Sequence, residues 1–353
     1  MSSEPPQEYS VDEEILYFFR KTSATKSSCD AYAQELVGGS VVPVTVQGVC
    51  SYTVYAGPNH EFVVQFRLQS LGLSTKMTTL ACDIYGSLVP SATFHGQIGE
   101  EGVDGKEPLS VYVMGRVKVG FILAHNLPED SLEYCTWREN LVSDIAGYSS
   151  RLSSRFLGLA WKSSLDVNPS DREAMFRRYE KDLRQLLAAL PSRFRPVIQQ
   201  SIDSLPAIFS LPMVLVHKDF GVNNVMVDAV DNHLVGVIDW AEAEIGPFGT
   251  NLHSLQQFMS KYRLRVGWIR HANYETLDRI FWDALSTSAG GLDPKTIQTI
   301  KAARIVGLLR SRGFTSRLAN KPEPEPIRDD ESGAYQMLGL DGLLINPATK
   351  LVD

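Results

Sequence analysis

Several features that mark particular classes of protein are scarce in this chain. The four cysteines, Cys29, Cys50, Cys82 and Cys135, lie far apart without a Cys-x-x-Cys pair. We therefore expect neither a zinc site nor a disulfide framework. The seven histidines show no His-x-x-x-His spacing, which argues against a histidine metal cluster. The formal net charge is −7 and no dense basic block is present, so a nucleic-acid partner is not expected.

Long apolar runs are also missing, so no membrane-spanning segment is expected. The first residues, MSSEPPQEYSVDEE, are polar and acidic and resemble no secretion signal, which predicts a cytoplasmic location. With 44% hydrophobic and 21% charged residues, the composition is that of a globular protein with a sizeable core. A length of 353 residues suits two folded units or two lobes. The sequence does not predict the oligomeric state.

The first third of the chain is predicted to contain most of the strands. Residues 11–37 have a helical pattern that Gly38-Gly39 ends. Apolar, β-branched runs then predict strands at 41–47, 49–56, 61–68 and 110–114, with a Gly57-Pro58-Asn59 turn between the second and third. Residues 74–86 show one apolar helical face, with Ser74 as a candidate N-cap. The expected order is β-β-β-α-β.

From about residue 130 the pattern becomes mainly helical. Amphipathic spacing predicts helices at 130–157, 171–190, 193–204, 249–263, 273–288 and 294–311. A strand pair at 224–228 and 234–240 interrupts them, and the apolar end of the chain is expected to pack on the body. We therefore predict an α+β protein with a small β-rich lobe at 1–113 and a larger, mainly helical lobe at 114–353.

The segment HKDFGVNN at 217–224 carries the clearest chemical pattern. Phosphoryl transfer needs a carboxylate to take the proton of the attacking hydroxyl and oxygen ligands for magnesium. A kinase catalytic loop supplies both as His-x-Asp followed, five residues after the Asp, by Asn. Asp219 and Asn224 have this spacing, which predicts that Asp219 is the catalytic carboxylate that takes this proton and that Asn224 is a metal ligand.

A second acid follows one hairpin later, in GVIDW, where Asp239 ends an apolar strand. A carboxylate at the end of a buried strand needs a partner to offset its desolvation, so Asp239 is predicted to bind the metal. The Asp-Phe-Gly letters at 219–221, which hold magnesium in protein kinases, are then coincidental. The plainer alternative makes Asp219 and Asp239 capping or turn residues. His217 is expected to hold the backbone of the loop.

The segments HKDFGVNNVMV and LVGVIDWAEAEIGPFGTNLHSL resemble the aminoglycoside phosphotransferase and choline-kinase-like superfamily, most closely its fungal branch. The resemblance implies a bilobal, kinase-like fold, Mg²⁺ with ATP or GTP, and a small-molecule acceptor hydroxyl or amine. The acceptor could be aminoglycoside-like, choline-like or a secondary metabolite. Lys218 replaces the usual Gly, and Asn251 stands where the family often has Asp.

The same resemblance assigns nucleotide contacts in the first lobe. GVCSYTVYAG at 48–57 is similar to the phosphate-covering hairpin, which implies roles for Gly48 and Ser51. Arg67, which shares a strand face with Gln65, is the predicted cation for the phosphates. The strand VYVM resembles the one that leads into the hinge, so the backbone near Val113 and Met114 is predicted to hold the purine edge.

One departure from the family leaves a second hypothesis open. The helix at 74–86 contains Lys76 and Asp83 but lacks the Glu that normally orients the phosphate-binding cation. An inactive pseudokinase that acts as a ligand-binding or scaffold protein is therefore the alternative. A protein kinase is disfavoured, because the usual Gly-rich loop is absent and Asp-Trp replaces Asp-Phe-Gly. Glu242 and Glu244 are candidates for contacting a cationic acceptor.

Overall fold

The computed structural model describes residues 9–102, 105–117, 132–147, 156–315 and 323–351. The chain divides into two compact units. The first comprises Met1–Thr79 and Pro90–Lys118, and the second comprises Leu80–Val89 and Val119–Asp353. The helix α3 (Thr75–Tyr85) begins in the first unit and ends in the second.

An antiparallel sheet forms the centre of the first unit. Its strands are β1 (Val42–Pro43), β2 (Ser51–Ala56), β3 (Phe62–Leu68), β4 (Ala92–Ile98) and β5 (Leu109–Gly115). Their spatial order is β1-β2-β3-β5-β4. The predicted turn between β2 and β3 is confirmed, and Gly57 has a φ of +98° there, which glycine adopts without strain. β4 was not predicted because it is a largely exposed edge strand with a bulge between Phe94 and Gln97.

Two helices, rather than the single predicted one, precede the sheet. They are α1 (Val11–Phe19) and α2 (Lys26–Val37), and a short segment separates them. The helix α2 begins at a capping box formed by Thr25 and Ser28. Phe18 and Cys29 from these helices belong to the same buried core as Tyr52, Val64 and Phe66 of the sheet. The two helices therefore close one face of the sheet.

The predicted helix over 74–86 is confirmed as α3. It begins after Ser74, whose Oγ accepts a hydrogen bond of 3.4 Å from the backbone N–H of Met77, as an N-cap does. At its other end Tyr85 is buried, and its hydroxyl donates to the carbonyl oxygen of Leu215 at 3.2 Å. This end of α3 thus supports the strand that leads into the predicted catalytic loop.

The second unit is mainly helical, as predicted. Its helices are α4 (Leu132–Ala146), α5 (Phe156–Lys162), α6 (Pro169–Ala189), α7 (Arg195–Ile208), α8 (Gln256–Met259), α9 (Tyr274–Ser288), α10 (Pro294–Arg312) and α11 (Ala334–Leu344). Part of the helix predicted at 130–157 lies outside the described residues. The helix predicted at 249–263 is wrong over much of its length, because only α8 and a preceding 3₁₀ turn at Leu252–Leu255 are helical there.

Short antiparallel strand pairs complete the second unit. The strands are β6 (Met213–Val216), β7 (Val225–Val227), β8 (Leu234–Val237), β9 (Glu244–Pro247), β10 (Ser260–Arg263) and β11 (Gly267–Arg270). β7 pairs with β8 as predicted, whereas the β6–β9 and β10–β11 pairs were missed. Among the described helices, none is both long and apolar enough to cross a bilayer.

Candidate active site

The loop from His217 to Asn224 joins β6 to β7. All four residues of β6 are buried, and β9 pairs along the whole strand, so the start of the loop is fixed. At the other end the backbone N–H groups of Asn224 and Val225 both donate to the carbonyl oxygen of Gly221, at 3.0 and 3.1 Å. This tight turn determines where the side chain of Asn224 points.

Asp219 and Asn224 are in direct contact. The Asn224 Nδ2 donates to Asp219 Oδ2 at 2.9 Å and to the Asp219 carbonyl oxygen at 2.8 Å. Asn224 is buried, whereas Asp219 is exposed. Since the amide nitrogen is used in this pair, the amide oxygen of Asn224 is the atom with which it can bind a cation.

Asp239 lies at the same end of the β7–β8 hairpin. Val225 is paired with Val237, and the N–H of Ile238 donates to the carbonyl oxygen of Asn224 at 2.9 Å, so Asp239 follows directly after this pair. Asp239 is exposed and has a φ of +57°, a left-handed conformation that is uncommon for a residue other than glycine. Strained backbone of this kind is concentrated at functional sites. The structure thus brings Asp219, Asn224 and Asp239 together.

His217 fastens the loop to the hairpin. Its Nε2 lies 2.8 Å from the carbonyl oxygen of Ile238, and its ring meets the Trp240 ring edge-on with centroids 4.7 Å apart. Burial lowers the pKa of His217 below its ordinary value. The neutral imidazole therefore donates from Nε2 to Ile238. This geometry supports the positioning role expected for His217.

Aromatic side chains support the loop from below. Phe220 is fully buried and stacks on Phe156 with ring centroids 5.0 Å apart and an interplanar angle of 5°. Phe156 in turn stacks on Tyr85, and Tyr85 contacts Trp240. Trp240 donates from Nε1 to the carbonyl oxygen of Val237 at 2.9 Å. Phe220 is thus a core residue that anchors the neighbouring Asp219.

Glu244 lies among cations of the chain itself. Its carboxylate is 3.8 Å from Lys218 Nζ, 3.6 Å from Arg178 and 4.0 Å from Arg310. Lys218, which replaces a family glycine, thus forms an ion pair with the first residue of β9. A carboxylate that already faces three cations is poorly placed to attract a cationic acceptor, so the predicted role of Glu244 is not supported. Glu242 is exposed.

In the first unit, the segment with the predicted phosphate-binding residues is a tight turn. Ser51 N–H donates to the Gly48 carbonyl oxygen at 3.4 Å. The Ser51 hydroxyl lies 3.3 Å from both Thr53 Oγ1 and Gln65 Nε2. Gln47, which the sequence did not single out, bonds through its side-chain amide to both the N–H and the carbonyl oxygen of Thr53 at 2.9 Å. No motif marks such a role for a lone glutamine.

Arg67 is 6% exposed in β3. Its Nε donates to the carbonyl oxygen of Leu71 at 2.8 Å, and its Nη1 to Gln65 Oε1 at 3.2 Å. The prediction that Gln65 and Arg67 share a face is therefore confirmed. In the sheet register Arg67 stands between Ser51 of β2 and Ser110 of β5, so small hydroxyl side chains flank it.

Val113 and Met114 lie inside the sheet. β5 runs between β3 and β4, with Val113 opposite Val64 and Thr93. Met114 likewise has a residue opposite it on each side. The chain leaves the sheet after Gly115, which ends β5. Gly115 itself is paired with Phe62, and the N–H of Arg116 donates to the carbonyl oxygen of Glu61 at 2.8 Å, so backbone pairing continues one residue beyond β5.

The donors near Asp239 fit magnesium better than a transition metal. Within the described ranges, no group of three or more His, Cys, Asp or Glu side chains is arranged to hold a metal. Magnesium usually takes only one or two carboxylates from the protein and completes its shell with phosphate oxygens and water. The Asp239 carboxylate and the Asn224 amide oxygen match this requirement. These oxygen donors are of the kind that phosphoryl transfer requires.

Comparisons with known proteins agree with this class. Residues 123–277 match the phosphotransferase enzyme family (APH), and the predicted resemblance to the aminoglycoside phosphotransferase and choline-kinase-like superfamily is confirmed. A sequence search among curated proteins gives no significant match.

Two solved structures are similar to the chain in fold. The GDP complex of aminoglycoside 2′-phosphotransferase IIIa is 14% identical with a TM-score of 0.50, covering 80% of this chain and 88% of that one. A protein of Ralstonia eutropha JMP134, assigned to the aminoglycoside phosphotransferases, is 15% identical with a TM-score of 0.50, covering 82% and 88%. The predicted α+β kinase-like fold is thereby confirmed.

Proposed function

We propose that the protein is a small-molecule kinase, which transfers the γ-phosphoryl group of ATP or GTP to a hydroxyl, or an amine, of a small acceptor. One observation carries this proposal. The Asp219–Asn224 pair and Asp239 stand together at one end of the β7–β8 hairpin. The family match supports phosphotransferase chemistry, and a structural neighbour was solved with GDP.

Asp219 is proposed to act on the acceptor. Its exposed carboxylate orients the acceptor hydroxyl and takes its proton as the new oxygen–phosphorus bond forms. The bond between the γ-phosphorus and the bridging oxygen breaks, and a nucleoside diphosphate leaves. Asn224 holds Asp219 by a hydrogen bond of 2.9 Å, which fixes the direction of the carboxylate. Holding the reactants in line in this way is a major source of rate enhancement.

Nucleotide contacts are proposed for each unit separately. Asn224 and Asp239 would hold Mg²⁺, which when bound supplies positive charge to the nucleotide phosphates. In the first unit Gly48 and Ser51 would meet the phosphates through backbone N–H groups, and Arg67 would supply a cation. The backbone near Val113 and Met114 would lead to the purine edge. The cytoplasmic location also stays a prediction.

Magnesium-dependent nucleotide binding tests this proposal. Thermal unfolding of the purified protein is followed with ATP or GTP, each with and without magnesium. A stabilisation that requires magnesium is expected, because a ligand that binds only the folded state raises the unfolding temperature. Asp239→Ala should lose this shift, while the exposed neighbour Glu242→Gln should keep it. A shift that survives Asp239→Ala would contradict the metal assignment.

The pseudokinase alternative rests on one observation. Helix α3 offers Asp83 as its sole carboxylate where the family usually supplies a Glu. If neither nucleotide shifts the unfolding temperature, the protein is better described as a binding or scaffold protein of the same fold. A shift with magnesium and nucleotide, followed by turnover with a screened acceptor, would exclude that alternative.

A further inference from the structure

A cavity of about 430 Å³ opens in the second unit beside the catalytic loop. The hairpin β10–β11 and the helices α10 and α11 contribute to its walls. Val222, three residues after Asp219, also lines it, and its N–H donates to Gln257 Oε1 at 3.3 Å. Gln257 lines the cavity too, so it connects the catalytic loop to this space. The volume falls within the usual range for small-molecule sites.

One wall of the cavity is aromatic. Tyr262 and Trp268 both line it and meet edge-on with centroids 5.1 Å apart. The Tyr262 hydroxyl donates to the carbonyl oxygen of Tyr335 at 2.6 Å, and Trp268 Nε1 donates to that of Gly339 at 3.2 Å. Because these bonds satisfy the polar atoms, the two rings are fixed and offer mainly apolar surface. Such a wall suits a flat ring.

The charged groups that line the cavity are all cationic. They are Lys261, Arg263 and Arg312, and none of the lining residues is an aspartate or glutamate. Within the described part of the chain, Arg263 and Arg312 are exposed and form no ion pair. Burial, with Arg312 nearby, lowers the pKa of the lining residue His253 to about 3, so this histidine is neutral. The cavity therefore carries uncompensated positive charge.

We propose that this cavity binds the acceptor, and that the acceptor is a small aromatic molecule with a carboxylate rather than a polycation. The choice of ligand rests on the proposed kinase function. A carboxylate would pair with the guanidinium groups of Arg263 and Arg312, which bind planar anions with two parallel hydrogen bonds. An ammonium group at the same place would be repelled. The aromatic wall would hold the ring, and Val222 would bring the ligand near Asp219.

Three matched phenols probe the charge preference. 3-(4-Hydroxyphenyl)propionate, tyramine and tyrosol share a ring and a two-carbon arm, and end in a carboxylate, an ammonium and a hydroxyl. Their dissociation constants are measured by calorimetry or ligand-observed NMR on the full-length protein without nucleotide. Arg263→Gln with Arg312→Gln is compared with Arg265→Gln, an exposed arginine of the same hairpin turn that does not line the cavity.

The wild-type protein should bind the propionate about tenfold more tightly than tyramine, with tyrosol between them. The double variant should lose this preference, and Arg265→Gln should keep it. Equal or tighter binding of tyramine, an unchanged preference in the double variant, or no binding of any phenol to the folded protein would each overturn the inference. Nucleotide binding is measured separately, so an anion-selective cavity in a protein that binds no nucleotide would identify the kinase proposal as the part that failed.

Discussion

The predicted site residues of the two units differ in exposure and in hydrogen bonding. In the second unit, Asp219 and Asp239 are exposed at one end of a hairpin, with Asn224 bound to the first of them. In the first unit, Ser51 and Arg67 are buried and hydrogen-bonded to groups of their own unit. The second unit thus presents exposed carboxylates, whereas the first presents a turn and a buried cation that its own unit already holds in place.

The difference arises because the site residues of the second unit lie on one short loop and the hairpin beside it, whereas those of the first unit come from separate strands. A compact loop between two anchored strands can place an acid and an amide within 2.9 Å, because only five positions separate them. The first unit must assemble its contacts from separate strands, and its register decides which side chains are neighbours. On the proposed function, changes at Asp219 should therefore act mainly on turnover, whereas changes at Asp239 and in the first unit should act mainly on nucleotide affinity.

The largest effect is expected for Asp219→Asn. The substitution keeps the size of the side chain and an oxygen that can accept from Asn224, but it removes the proposed base. We expect kcat to fall about 10³-fold, as for loss of a general base, with nearly unchanged nucleotide affinity. Turnover of nucleotide with a screened acceptor measures this, and the exposed neighbour Asn223→Ala is the control. Full turnover in Asp219→Asn would rule out the assigned mechanism.

The aromatic support of the loop should show the next largest effect. Phe220→Ala removes a ring that stacks on Phe156 and is expected to lower the free energy of unfolding by about 3 kcal/mol. Phe281→Ala, an equally buried phenylalanine in α9, should cost a similar amount. Urea unfolding measures both.

Turnover separates these two variants. At a temperature where both remain folded, kcat should fall in Phe220→Ala, because the neighbouring Asp219 loses its support, and stay near wild type in Phe281→Ala. Equal loss of turnover in the two variants would mean that the ring of Phe220 stabilises the unit without positioning the loop.

The parts of the fold that follow from local chemistry were predictable from the sequence. The β2–β3 hairpin has a Gly-Pro-Asn turn between two β-branched runs, and α3 has a serine cap before one apolar face. Both were correctly placed. The relation between Asp219 and Asn224 was predictable for the same reason, since a fixed spacing within one loop leaves few geometries.

Features that depend on tertiary context were missed. β4 is an exposed edge strand, so its sequence lacks apolar alternation. The segment 249–263 has apolar residues at helical spacing, yet β10 ends its helical part by pairing with β11, which lies further along the chain. The cations around Glu244 come from α6, the catalytic loop and α10, and no sequence pattern shows that they converge. The charge of the cavity was missed for the same reason.

The next largest effect is expected for the pH dependence of stability that buried His253 gives to the second unit. The pKa of buried His253 is lowered to about 3, so the unfolded chain binds a proton that the folded protein does not between pH 3 and about 6.5. Stability therefore falls as pH falls below 6.5, by about 2 kcal/mol from this residue at pH 5. Urea unfolding at pH 7 and pH 5 measures the loss.

The matched variants for this dependence are His253→Gln and His95→Gln. The first removes the buried titrating group and should reduce the difference between pH 7 and pH 5, even if it is less stable at both. The second replaces an exposed histidine of β4 and should leave the difference unchanged. An undiminished pH effect in His253→Gln would show that other groups, such as buried His217, are responsible.

The smallest effect is expected for Arg67. This prediction tests whether the buried cation of the first unit contacts the nucleotide at all. Arg67→Gln removes a cation that is hydrogen-bonded to the carbonyl oxygen of Leu71 and to the side chain of Gln65. If this cation also meets the phosphates, the dissociation constant of the magnesium nucleotide should rise about tenfold, as for loss of one charged hydrogen bond, while kcat changes little. Arg67→Lys keeps the charge and should recover part of the affinity. A folded Arg67→Gln with wild-type affinity but a lower unfolding temperature would mean that Arg67 only braces the sheet.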